Sequence, residues 1–105
     1  MVIVEAWGFT RRICDLMPDD DYRMLQLELV RNPETGRVIR GTGGLRKLRW
    51  AASGKGKRGG ARVIYYWHPK SQQVLMLFVF AKNERDDLSD AQRRALRRIV
   101  ETEYP

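Results

Sequence analysis

The feature that most constrains this 105-residue chain is an unbroken apolar run of eight residues, Val74 to Ala81 (VLMLFVFA). A strand wetted on one face alternates apolar and polar residues, so a run without alternation needs cover on both faces. Eight residues fall far short of the ~20 that cross a bilayer. The run therefore predicts a central strand inside a sheet. Just before it, Ala61 to His68 (ARVIYYWH) is β-branched and aromatic, and Pro69-Lys70-Ser71-Gln72 separates the two. That spacing predicts an antiparallel hairpin with paired positions summing to about 141, which sets Arg62 near Val79.

Around this hairpin the remaining elements fall into order. Val2 to Trp7 reads as an opening strand, and Thr10 to Met17 as a short helix. Pro18 followed by Asp19, Asp20 and Asp21 is a helix start, with acids where the helix dipole is positive. The second helix runs Asp19 to Val30 and stops at Asn32-Pro33-Glu34-Thr35-Gly36. Gly36 to Gly44 reads as a loop, and Leu45 to Ala51 (LRKLRWA) as a strand. Ser89 caps a terminal helix, Ala91 to Tyr104. The order β-α-α-β-β-β-α predicts an α+β fold with an antiparallel sheet, one domain over residues 1–105.

Composition agrees with a folded domain: 43% of residues are hydrophobic and 31% charged. A chain this short buries about 65% of its unfolded surface, so binding is expected on the surface or in a shallow cleft. The start MVIVEAWGF has no basic segment before its apolar residues, so no signal peptide is expected, and a cytoplasmic location follows. Cys14 is the sole cysteine, which leaves no internal disulfide or cysteine-rich metal site.

The net charge of +7 is unevenly spread. Thr35 to Asn83 holds eleven Lys or Arg and no acid, while the rest of the chain holds nine basic and thirteen acidic residues. A contiguous cationic segment points to a polyanion, RNA in particular; the bland alternative is a solvated basic surface. Hairpin geometry gathers Arg49, Arg62, Lys82 and the loop cations Lys55, Lys57 and Arg58 at one sheet end. Lys47 lies one pleat away on the face of Arg49. Arg46, Lys55, Lys57 and Arg58 are candidate RNA contacts. The glycines of Gly54-Lys55-Gly56-Lys57-Arg58-Gly59-Gly60 let backbone approach a phosphate chain, though a plain solvated turn fits them equally.

The chemistry open to such a site is narrow. His68 is the sole histidine and should lie at the far end of its strand, about 20 Å from the cations at ~3.3 Å per residue. A paired-histidine nuclease is thus excluded. Asp19, Asp20 and Asp21, and also Asp86 and Asp87, read as helix caps or solvated turns rather than metal ligands, so neither metal nor cofactor is expected. RNA carries its own nucleophile, the 2′-OH; Arg and Lys stabilise the phosphorane charge without metal. Arg62 is the candidate phosphate holder, and Lys82 or Lys47 a candidate base. Among Trp50, Tyr65, Tyr66 and Trp67, core packing is expected for most and base stacking for one at most.

Gly41 to Trp67 (GTGGLRKLRWA…GKGKRGGARVIYYW) with Phe80 to Ser89 (FAKNERDDLS) resembles the RelE/ParE superfamily of toxins, closest to the HigB-type branch. The resemblance implies a compact microbial-RNase-like fold and a ribosome-dependent mRNA interferase that cuts mRNA in the ribosomal A site. It implies neutralisation by a cognate antitoxin with a helix-turn-helix DNA-binding domain. By motif, Lys47 and Arg49 match the two basic strand positions, Arg62 the phosphate-binding arginine and Lys82 the basic motif after the last strand. The chain departs from the RelE pattern at Asn83 and Ser89, where that group has arginine and tyrosine, and it lacks the histidines of some HigB toxins. Two alternatives stand beside the nuclease: a ParE-like inhibitor of DNA gyrase, and a non-catalytic RNA- or ribosome-binding protein.

Overall fold

The computed structural model of the chain describes residues 1–51, 60–85 and 87–105. Its elements are β1 (Val2–Glu5), α1 (Trp7–Leu16), α2 (Asp19–Arg31), β2 (Arg37–Val38), β3 (Leu45–Trp50), β4 (Ala61–His68), β5 (Gln73–Ala81) and α3 (Asp90–Glu103). The five strands form one sheet in the order β1-β5-β4-β3-β2. The fold is α+β, with helices on both faces.

The apolar run becomes β5, flanked by β1 and β4 and buried along most of its length. One face carries α1 and α2: Phe9, Ile13, Met17, Leu25 and Leu29 pack against Val63, Tyr65, Val74, Met76 and Val79. The other carries α3: Leu96 and Val100 pack with Leu45, Ile64, Leu75, Leu77 and Phe80. Burial on two sides is why β5 has no polar alternation.

Four features differ from the sequence reading. The sheet is mixed, because β1 pairs parallel with β5, Val2 opposite Gln73 and Glu5 opposite Met76. The chain leaves β1, covers one face with α1 and α2, then returns through the β2–β5 meander, which brings β5 beside β1 in the same sense. Second, the strand ends at Glu5 and α1 begins at Trp7; the Ala6 N–H still bonds the Met76 carbonyl (2.8 Å), and the fully buried Phe9 anchors the new helix. Third, the glycine-rich stretch contains β2, with Arg37 opposite Lys47 and Val38 opposite Arg46. Fourth, an irregularity between Ile64 and Tyr65 shifts the hairpin register, so Arg62 faces Phe80 rather than Val79.

The return from β2 to β3 is tight. Gly41, Gly43 and Gly44 have φ of 75°, 74° and 113°, values that L side chains rarely adopt. Thr42, 2% exposed, braces this turn: its hydroxyl donates to the Ile39 carbonyl (2.5 Å) and accepts from the Leu45 N–H (3.2 Å). α3 begins with a capping box in which Ser89 and Gln92 exchange side-chain-to-backbone hydrogen bonds. Among the described residues no helix is long and apolar enough to cross a membrane.

Candidate nucleic-acid interface

Strand alternation sorts the cations of β3. Leu48 and Trp50 turn to the α1/α2 core, and Leu45 to the α3 core. Lys47 and Arg49 therefore share the α3 face with Leu45. Across the ladder Lys47 is opposite Ile64, and Arg49 is directly opposite Arg62. Two arginines thus stand side by side on one sheet face, an arrangement that costs stability in a structural ladder. Arg62 is only 7% exposed, and its Nη1 donates to the Ala61 carbonyl (3.3 Å). The Lys82 N–H bonds the Gly60 carbonyl (3.1 Å), which sets Lys82 at the same sheet end.

Two neighbouring hollows meet at Arg49. The smaller, about 290 Å³, is lined by Arg49, Trp50, Ala51, Gly60, Arg62 and Lys82. The larger, about 570 Å³, is lined by residues that include Arg37, Arg40, Lys47, Arg49, Asp87 and Arg93. Both are open and shallow enough for a chain to lie across. Trp50 is the one aromatic in the lining of the smaller hollow; Tyr65, Tyr66 and Trp67 pack in the two cores.

Of the residues singled out from sequence, Lys47, Arg49, Arg62 and Lys82 come together. Arg46 does not join them. It sits opposite Tyr65 on the other sheet face, and its guanidinium donates to the carbonyls of Glu34 (3.1 Å) and Gly36 (2.8 Å) while its Nη2 lies 3.7 Å from the Glu34 carboxylate. The pleat turns adjacent residues to opposite faces, so Arg46 ties down the loop before β2. Lys55, Lys57 and Arg58 lie outside the described residues. His68 ends β4, bonded through Nδ1 to Ser71 Oγ (2.7 Å) and stacked on Tyr104 (4.4 Å between ring centres).

Three residues of this face escaped the sequence reading. Asp87, expected in a solvated turn, lies 3.5 Å from the Lys47 ammonium and accepts a 3.1 Å hydrogen bond from Arg93. Partial burial acts to raise the Asp87 pKa, but the Leu88 N–H and the charges of Lys47 and Arg93 outweigh it and hold the carboxyl below the usual range. Arg93 comes from α3, whose approach to β3 is a tertiary event. Arg85 lies over the rings of Phe78 (5.7 Å) and Phe80 (5.9 Å), next to where Phe80 opposes Arg62. Counting charge only as far as Asn83 misses all three. Among the described residues no group of three or more His, Cys, Asp or Glu side chains is placed to hold a metal ion.

Comparison with known proteins turns this geometry into a family. Residues 27–104 match the RelE toxin of the RelE/RelB toxin–antitoxin system. The chain belongs to the RelE toxin family. This RelE-family toxin also resembles, in fold, a double arginine-to-alanine mutant of the E. coli toxin RelE in the free state. The two share 14% identity, with 81% of this chain and 86% of that one covered, at a TM-score of 0.54. The family match takes in the C-terminal end of α2, every strand from β2 onward and all of α3, so the cationic face of this toxin lies wholly inside it.

Proposed function

We propose that this RelE-family toxin is a single-domain, cytoplasmic mRNA interferase. On this reading it cleaves mRNA on the ribosome, arrests translation, and is neutralised by a cognate antitoxin bearing a helix-turn-helix DNA-binding domain. The observation that carries the proposal is the Arg49–Arg62 pair. Two like charges face each other across β3 and β4, at the junction of two cation-lined hollows. A phosphate there accepts hydrogen bonds from both guanidinium groups, and a phosphate gaining charge in a transition state is held more strongly by them.

In the reaction the 2′-oxygen of RNA attacks its own phosphorus. The O2′–P bond forms, the P–O5′ bond breaks, and the products are a 2′,3′-cyclic phosphate and a 5′-hydroxyl. Arg62 and Arg49 hold the non-bridging oxygens, Lys82 takes the 2′ proton, and a proton from water neutralises the departing O5′. The ribosome presents the strand in line, which suits a protein whose hollows are shallow.

The test is expression of wild type and Arg62→Ala without antitoxin. Wild type should arrest growth and yield mRNA cut within translated regions, and the variant should do neither while keeping its circular dichroism spectrum. Purified toxin added to translating ribosomes should cut mRNA. Stalled translation with intact mRNA would refute the nuclease in favour of a non-catalytic ribosome binder, and gyrase-dependent DNA breaks would establish the gyrase reading.

A further inference from the structure

Among the described residues that line the larger hollow, Asp87 is the one acid among cations. Asp87 Oδ1 accepts from the Leu88 N–H at 2.8 Å and lies 3.5 Å from Lys47 Nζ; Asp87 Oδ2 accepts from Arg93 Nη2 at 3.1 Å. Two oxygens of one anion thus receive an ammonium, a guanidinium and a backbone N–H. That is the donor set a phosphodiester's two non-bridging oxygens require. The fit is incomplete, because Arg93 Nε is buried and has no hydrogen-bond partner among the described residues. Arg93 therefore keeps a donor that its carboxylate partner does not use. The side chain of Asp87 is 45% exposed, so a competing anion can reach it. Arg37, Arg40 and Arg49 line the same hollow.

We infer that Asp87 occupies the seat of an RNA phosphate between Lys47 and Arg93 in the free protein, and that the RNA backbone displaces it on binding. The inference rests on the reading of this face as RNA-binding and adds to it a second phosphate seat, next to the one at Arg49 and Arg62. Asp87 is then a brake. It neutralises the Lys47/Arg93 end of the hollow, lowers affinity for stray polyanions, and leaves on α3's flank a carboxylate that must swing into solvent. An RNA bound at Arg62 gains the seat only when its neighbouring phosphate follows the line through Arg49 to Lys47.

The test uses the full-length protein and a fluorescent single-stranded RNA whose 2′-hydroxyls are methylated, so that binding is read without cleavage. Affinity is measured over a series of salt concentrations for wild type, Asp87→Asn and Asp90→Asn. The Asp87 variant keeps an acceptor for the Leu88 N–H. Asp90 pairs weakly with Arg93 (3.9 Å), is 87% exposed, and controls for net charge. Asp87→Asn should bind about tenfold more tightly than wild type, with a salt slope steeper by about 0.7, one further phosphate contact. Asp90→Asn should shift affinity by less than about twofold. If wild type binds RNA and Asp87→Asn binds no tighter, or if Asp90→Asn gains as much, the inference is overturned while the RNA reading survives. If no protein binds RNA, both fall. A thermal melt of each variant separates lost binding from lost fold.

Discussion

Replacing Tyr65 with phenylalanine isolates how the frame of the interface is held. Tyr65 is fully buried in the core beneath α1 and α2. Its hydroxyl donates to the Pro33 carbonyl and accepts from the Gly36 N–H, each at 2.8 Å. One oxygen thus ties the chain between α2 and β2 to the middle of β4. Burial pushes the phenol pKa up, and the Gly36 N–H and the Arg46 charge offset this only in part. A Cβ on Gly36 would lie 2.8 Å from Tyr65 Cε1, so the ring and this backbone leave no room between them. Removing the hydroxyl deletes two hydrogen bonds of about 1 kcal/mol each and strands a buried N–H, for a total loss of about 2–3 kcal/mol. With an unfolding entropy of ~2.1 cal/mol/K per residue, a chain of this length should lose about 9–14 °C in Tm.

The assay is urea unfolding followed by tryptophan fluorescence, with calorimetry for Tm. Tyr104→Phe is the reference, since it removes one half-buried bond to Gln73 Oε1 (2.9 Å) and should cost about 0.5–1 kcal/mol. A Tyr65→Phe loss below ~0.5 kcal/mol, or no larger than the Tyr104 loss, would refute the reasoning. It would show that the connection into β2 is held by Arg46 and the ladder rather than by the hydroxyl.

Two further predictions concern the ends of the interface. Ser89→Ala removes the acceptor for the Gln92 N–H in the capping box and should cost about 1 kcal/mol, read as a lowered urea midpoint; Ser89→Asp should recover it, and failure to do so would mean the cap contributes little. Asp87 and Glu84 both have lowered pKa values. Asp87 is held low by the Leu88 N–H, Lys47 and Arg93 against the opposing effect of burial, and Glu84 by the Ala81 N–H and then Arg12. A carboxylate lowered in the folded state stabilises fully above its ordinary value, 3.8 for Asp and 4.5 for Glu, and that contribution fades as pH falls through the folded value. Urea midpoints should therefore be level from neutral pH down to about 5 and decline below about 4. The decline should be shallower in Glu84→Gln, and equal slopes would remove this carboxylate from the account.

The sequence was readable where burial alone decides structure. The run from Val74 and the Tyr-rich strand before it have no other way to hide their side chains, and β4 begins and ends where predicted. It was unreadable where a partner decides. β2 is two exposed residues, strand only because β3 lies beside it. The parallel pairing of β1 depends on the route of the helices, and the shift at Ile64 and Tyr65 leaves no composition signal. Arg49 and Arg62 still met, because their pairing comes from the β3–β4 ladder, which lies outside that shift. Asp87 and Arg93 reach the site only after α3 has docked on the sheet.

The pleat explains why charge density alone could not define this interface. Lys47 and Arg49 face the α3 side, whereas Arg46, between Leu45 and Lys47, faces away and is consumed by the carbonyls of Glu34 and Gly36. Three cations within four residues thus divide into two that line the larger hollow and one that holds the frame. Tyr65, the partner of Arg46 in the ladder, braces that same loop from β4. The two structural residues fix the Pro33–Gly36 turn, and the turn fixes β2, whose Arg37 lines the larger hollow beside Lys47. Arg46 and Lys47 are neighbours in sequence on opposite faces of the sheet: one holds the edge of the hollow, and the other lines it.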